Sequence, residues 1–214
     1  PDVEDHSYPF NLEKAKEVLA AAGYSWNDEG KLLDKFGNIV KFNLTTNAGN
    51  QVREKACNLI VDTFGKIGIE AVFNPIDFNT LVGHLMNTGD WETMIMGLTG
   101  GVDPHSGSNV WALEGGLHFW NYSPDLKDFV DPAHYNIPYY EYRIDKIYKE
   151  QSAEMNEDAR WELFSEFQML VADNLPMIYT VQQLNLYAYP TYLKNVEIGG
   201  FSSWGWNLWA LYKE

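Results

Sequence analysis

The chain holds 214 residues, with 15 Lys+Arg against 30 Asp+Glu and a formal net charge of −15 at pH 7. That balance excludes a nucleic-acid binder, which needs a basic footprint, and a protein that docks on anionic membranes. The lone Cys57 excludes an internal disulfide framework and a cysteine-rich zinc site. No apolar run approaches the roughly 20 residues that span a bilayer. With 45% apolar residues, 8 Trp, 13 Tyr and 11 Phe, the chain can fill one substantial core or two small ones and is too aromatic for disorder.

Pro1 to Ser7 is polar and aperiodic, a linker-like start with neither an initiator Met nor a signal peptide. The expectation is a fragment of something longer. Asn11 then suits an N-cap, with Glu13 in the first turn. Leu12, Ala15, Val18, Leu19 and Ala22 follow at helical spacing, and Gly23 is placed to end the helix. Asp28 to Asn38 reads as turn, short pairing, turn. Val40, Phe42 and Leu44 alternate with polar residues, as in a half-buried strand.

After a loop at Asn47 to Asn50, the stripe Val52, Ala56, Leu59, Ile60, Phe64, Ile67 predicts a long helix closed by Gly68. Ile69 to Phe73 predicts a strand. Phe78, Leu81, Val82, Leu85 and Met86 predict a helix stopped by Gly89, and Trp91 to Leu98 a third strand. Alternation of helix and strand with short connections is the rhythm of an α/β unit. Thr99 to Pro138 breaks it with about forty residues of little periodicity, rich in Gly and Pro; loops of this length are functional or disordered, and the aromatics argue for order. Helices resume over Glu141 to Met155 and again after a cap at Asp158, with Leu163, Phe164, Phe167, Leu170 and Val171 on one face. Strands are expected at Met177 to Val181 and Leu184 to Ala188. The aromatic stretch Trp204 to Tyr212 must pack somewhere.

Few constellations carry catalytic chemistry. The five histidines, His6, His84, His105, His118 and His134, show no metal-ligand spacing and read as ordinary loop or surface residues. Cys57 falls on or beside a buried helix face and reads as an inert thiol. No GxSxG nucleophile elbow occurs. The strongest local feature is the run Gly97 to Asn109 (GLTGGVDPHSGSN), directly after the third predicted strand. Ligand crevices of open α/β sheets lie beyond the carboxyl ends of the strands, and glycines there let a ligand approach the backbone. Asp103 suits either a cation or the cap of a turn. The same residues also suit plain turn chemistry. Trp111, Phe119 and Trp120 suit stacking on sugar rings or peptide side chains, or equally a satellite core beneath the loop.

Taken in order, several segments resemble the extracellular solute-binding proteins of family 5, the dipeptide, oligopeptide and nickel receptors of ABC importers. Tyr8-Pro9-Phe10-Asn11-Leu12-Glu13-Lys14-Ala15-Lys16 with Leu19, Ala22, Gly23 and Tyr24 is similar to that family's opening helix, with Asn11 in place of the more usual Asp. Asn47 to Asn50 with Arg53, then Ile67-Gly68-Ile69, resembles its N-x-G-N-x-x-R … I-G-I stretch. Gly89-Asp90-Trp91-Glu92, Met96 to Gly100 and Asp103-Pro104 resemble the segment that leads through the third strand into the loop. Arg160, Leu163 and Leu175-Pro176-Met177-Ile178-Tyr179 resemble its late helix and the segment that follows.

The resemblance implies the C-terminal lobe of a two-lobed receptor, spanning 1–214, with an α/β, periplasmic-binding-protein-like (type II) fold: a mixed sheet flanked by helices, plus a long aromatic loop region. The tail 190–214 is expected to pack toward the missing N-terminal lobe. It implies capture of a peptide-like or other small polar solute between lobes and delivery to an ABC transporter permease. No catalytic residues, cofactor or metal are implied. The place implied is the periplasm or the extracellular face of a bacterial membrane, with a lipoprotein anchor among the expectations. The expected ligand-binding residues are Thr99, Gly100, Gly101, Asp103, His105, Trp111 and Trp120. In peptide-binding members an Asp in this loop meets the ligand's α-amino group; here Gly101 stands at that place, so either Asp103 substitutes or the ligand lacks the ammonium. The alternative function is a carbohydrate-active hydrolase or carbohydrate-binding module, which the aromatics and acids would also suit.

Overall fold

The computed structural model describes residues 7–182, 184, 186–199 and 205–214. The linker-like start up to His6, Trp204, and Asn185 within the second expected C-terminal strand lie outside the described residues.

Helix α1 (Leu12–Ala21) begins as its sequence predicts: the Asn11 side chain accepts from the Lys14 N–H at 2.9 Å. Strands β1 (Ser25–Trp26) and β2 (Leu32–Leu33) form a small antiparallel ribbon. The Trp26 indole ties it to the rest by donating to the Ile67 carbonyl at 2.8 Å.

The central unit is β3 (Lys41–Asn47), α2 (Gln51–Gly65) and β4 (Glu70–Ile76). The two strands pair in parallel over seven positions, from Lys41↔Glu70 to Asn47↔Ile76, so α2 is the crossover helix that parallel pairing requires. Asn50 caps α2 by accepting from the Arg53 N–H. Beyond the helix, Gly68 adopts φ 87°, and a side chain there would meet the Gly30 carbonyl and the Leu32 N–H. Pro75 is tolerated because β4 is an edge strand.

Asp77 caps the short α3 (Phe78–Gly83), which runs into a π-helical turn, His84–Thr88. Gly89, left-handed at φ 68°, stops it as expected. Strand β5 (Thr93–Met94) then pairs in parallel with the free side of β3, giving the order β4-β3-β5. The strand expected over Trp91–Leu98 is therefore only two residues long. Its apolar run continues, but its partner does not: after Ile95 N–H donates to the Thr45 carbonyl and Thr46 Oγ1 donates to the Ile95 carbonyl, β3 ends at Asn47.

The long segment from Thr99 to Pro138 is ordered by a 3-10 turn (Pro104–Gly107), the single-turn helix α4 (Ser108–Trp111) and side-chain contacts. Helices α5 (Tyr139–Ala153) and α6 (Glu157–Asn174) follow. The cap of α6 is Asn156, which accepts from Ala159 N–H at 3.0 Å; Asp158, the expected cap, sits in the first turn instead. Leu175, left-handed at φ 46°, ends the helix. No strand forms over Met177–Val181, and the described residues of Leu184–Ala188 form none either. Strands β6 (Leu193–Lys194) and β7 (Tyr212–Lys213) make a short antiparallel pair near the end.

Burial gathers in two places. Leu44, Cys57, Ile67, Leu81 and Leu85 lie on the sheet and its helices. Trp111, Ile144, Tyr148, Phe164 and Val171 form a second cluster among α4, α5 and α6, with Phe167 and Trp120 packed against it. Tyr148, Phe164 and Phe167 meet edge to face at centroid distances of 5.5–6.5 Å, the geometry that the aromatic quadrupole favours.

Candidate functional site

Gly97 to Asn109 leaves the carboxyl end of the sheet just after β5. Gly97 through Ser106 is exposed, as a crevice wall requires. Each expected site residue has a definite place. Thr99 and Gly100 lie on the open loop. The Gly101 N–H donates to Ser106 Oγ at 3.0 Å, and a side chain at 101 would collide with that serine. Asp103 is the only carboxylate in the run, and it caps the 3-10 turn by accepting from the His105 N–H at 2.8 Å. Both sequence readings, turn cap and holder of a cation, describe its contacts, the cation being a side chain of this chain.

Asp103 also accepts from Arg160 Nη2 at 2.7 Å. That guanidinium, with help from the His105 N–H, holds the carboxyl below the usual carboxylate range. The same arginine donates to Gln151 Oε1 from Nε and Nη2 at 3.1 and 3.0 Å, and Gln151 Nε2 pairs with His105 Nδ1 at 2.5 Å. Asp103, His105, Gln151 and Arg160 thus fasten the loop to α5 and α6. They line a surface hollow of about 510 Å³ with Ser106, Ser152 and Glu154.

The two tryptophans differ in access: Trp111 is closed off, whereas Trp120, with Phe119, lines a surface hollow of about 330 Å³. Trp111 is buried among α5 and α6, 5.0 Å from Phe167 by centroids. Trp120 is half-buried against Trp111 at 5.3 Å and His118 at 4.3 Å. Trp111 thus belongs to a core beneath the loop, with Trp120 packed on its edge.

Sequence reasoning missed the polar centre of that core. Glu141 is 2% exposed and accepts from Trp120 Nε1 at 3.0 Å, Tyr140 Oη at 2.9 Å and Asn121 Nδ2 at 2.6 Å. Burial pushes its carboxyl up, but the surrounding donors outweigh burial and leave it below its ordinary value. Burial and the neighbouring carboxylate push the Tyr140 phenol well up. His118 is no surface histidine: it is 1% exposed, with Nδ1 at 3.0 Å from the Val110 carbonyl and Nε2 at 3.6 Å from Glu141 Oε2, beyond hydrogen-bond reach. The hint was the crowding of Trp120, Asn121 and Tyr140-Glu141 around a long loop, but nothing periodic marks a buried acid.

Cys57 is buried, and burial pushes its thiol up, which keeps it unreactive. No group of three or more His, Cys, Asp or Glu suited to a metal ion occurs among the described residues. The loop itself presents backbone amides, small residues and the ion-paired Asp103.

A model of the bacterial extracellular solute-binding proteins, family 5 (middle), matches residues 1–117. The chain belongs to this family. The family 5 chain is 36% identical over 98 residues to the oligopeptide-binding protein AppA of Bacillus subtilis, a match covering 45% of this chain and 18% of AppA. It is 36% identical over 129 residues to a probable ABC transporter-binding protein of Deinococcus radiodurans, covering 54% of this chain and 22% of that protein. Among solved structures it is similar to NikZ from Campylobacter jejuni in complex with Ni(L-His), with a TM-score of 0.68, 18% identity, and coverage of 96% of this chain and 40% of NikZ. These matches thus take in 18% and 22% of the lengths of the curated relatives. The structural likeness shows the fold, a mixed α/β, periplasmic-binding-protein-like arrangement.

Proposed function

We propose that this chain is the C-terminal lobe of the substrate-binding component of an ABC importer. It captures a peptide-like or other small polar solute against the Gly97–Asp103 loop and presents it to a membrane permease, without catalysing a reaction. The observation that carries this reading is the loop itself. It is exposed at the carboxyl ends of parallel strands, and its one carboxylate is committed to Arg160 and a backbone amide. A hydrolase that used this acid as its general acid or base would need it free.

A second observation favours a two-lobed whole. Past α6, Ile178, Val181, Leu184 and Leu186 are 79–91% exposed. A run of bare aliphatic side chains is the surface that another domain covers. In the tail, Trp209 is 80% exposed as well. The site of action is the periplasm or the outer face of the membrane, in keeping with the extracellular description of the family. A lipid anchor on the full-length protein fits the same role.

The test is native mass spectrometry of the full-length parent purified with whatever it carries, followed by identification of the released solute. A discrete bound small solute is expected, with no turnover of peptides or oligosaccharides. Turnover well above background overturns the receptor reading.

A further inference from the structure

The three arginines of this chain fall into two groups. Arg143 is gripped by Glu150 and Glu166 at 2.9 and 2.6 Å, and Arg160 by Asp103 at 2.7 Å. Arg53 has no carboxylate within ion-pair distance among the described residues, although acids outnumber bases two to one. Among the described residues its single side-chain hydrogen bond runs from Nη1 to Asn47 Oδ1 at 2.6 Å. Nη2 lies against Gly97, only 2.7 Å from where a Cβ on that residue would stand. Asn47 is the last residue of β3 and Gly97 follows β5, so the guanidinium lies across the carboxyl ends of two adjacent parallel strands. Nε and Nη2 form no hydrogen bond among the described residues, and neither is a buried unpartnered atom, so solvent reaches both.

A half-buried guanidinium gives up part of its hydration, and a paired counter-charge is the usual compensation. This one is held in place by Asn47 and by the missing side chain of Gly97, with its Nε–Nη2 edge unspent. The neighbouring N–H groups of Leu98, Thr99 and Gly100 also make no hydrogen bond among the described residues, while Asp103 is neutralised by Arg160. Of the carboxylates at this end of the sheet, Glu54 accepts from the Gly49 N–H at 2.7 Å and Asp77 caps α3, so neither is spent on Arg53, whose donors are arranged in a fork.

Resting on the receptor reading above, we propose that Arg53 is the carboxylate clamp of the site, and that the solute carries a free carboxylate received side-on by Nε and Nη2. A planar fork matches a carboxylate with two parallel bonds, which a lysine at this position would not supply. Gly97 is then a specificity residue, because any side chain there displaces the guanidinium.

The test uses the full-length receptor, freed of carried solute, in titration calorimetry with two matched pairs. Tetra-alanine is compared with its C-terminal amide, and trigalacturonate with neutral galactotriose. The peptide pair and the sugar pair separate the two sources of a carboxylate. In the pair that binds, the carboxylate member is expected to bind about 10- to 150-fold more tightly, the range for hydrogen bonds to a charged group. Arg53→Met erases that difference with the melting temperature unchanged, and Arg53→Lys restores it in part. Gly97→Ala weakens the carboxylate member alone, and stands in if Arg53→Met does not fold. Equal binding within the pair, or a preference that survives both variants, overturns the clamp while leaving the receptor reading intact. Binding of none of the four overturns the carboxylate class; a parent that also carries no solute from the cell overturns the receptor reading with it.

Discussion

Replacing Glu141 by alanine removes the one acceptor that three donors share. Trp120 Nε1 and Tyr140 Oη lose their only partner among the described residues, while Asn121 Nδ2 keeps the Asn136 carbonyl. Two orphaned, largely buried donors at about 1–3 kcal/mol each set the cost at about 2–6 kcal/mol. Relief of the buried charge's own desolvation opposes this and brings the expectation to about 2–4 kcal/mol. Because the network pins the aromatic loop to α5, the loss should be local. Hydrogen exchange by mass spectrometry on the full-length protein reads it in peptides covering residues 111–122, where the N–H groups of Ala112 and Leu117 are bonded to Ser108 and Asn109. At about 1.4 kcal/mol per decade, those amides should exchange roughly 30- to 700-fold faster, with peptides of β3 and β4 unchanged. Glu141→Gln keeps the shape and one set of acceptors, so its effect should be smaller. A change below about threefold for Glu141→Ala would refute the claim that this carboxylate holds the loop.

Two further outcomes follow from other parts of the chain. Gly68→Ala should lower stability by more than about 2 kcal/mol in urea unfolding, since it combines a left-handed φ of 87° with a Cβ only 2.4 Å from the Gly30 carbonyl oxygen; Gly83→Ala, with open space around it, should cost nothing comparable. Asp103 has its folded value held down by Arg160, so its contribution is present above the ordinary carboxylate value and is lost as pH falls through the folded one, below about pH 4. Acid unfolding curves should therefore show Arg160→Met losing less stability than the wild type across that window. Parallel curves would contradict the pairing.

Much of the fold was legible because it is written in short-range chemistry. Asn11 and Asn50 cap helices, and Gly23, Gly68 and Gly89 take the positive φ that helix ends need; each signal lies within a few residues of its effect. The cap of α6 was misplaced by two residues because Asn156 and Asp158 are both competent, and only the bond to Ala159 N–H distinguishes them. The failures concern pairing and burial. Whether Trp91–Leu98 or Met177–Val181 becomes a strand depends on a partner, and no periodicity says where β3 ends or what lies beside Ile178. Nor do aromatic spacings say whether Trp111 faces a ligand or a core. In the site, the glycine-rich run was visible from composition, and Asp103 was legible as a turn cap. Arg53 was visible only as a motif residue, since its seat against Gly97 joins positions 44 residues apart.

The cluster of Asp103, His105, Gln151 and Arg160 has a mechanical consequence. The glycine-rich loop is compliant along its own backbone, yet its far end is tied by two side-chain hydrogen bonds, His105 to Gln151 and Asp103 to Arg160, to the facing ends of two long helices, which two more from Arg160 to Gln151 join to each other. Any tilt of α5 and α6 is therefore transmitted to residues 101–107 without passing through the sheet, which stays fixed by its seven-position ladder. The loop rides on the helix pair like a latch on a door, so a load applied to the outer surface of α6 reaches residues 101–107 as a displacement.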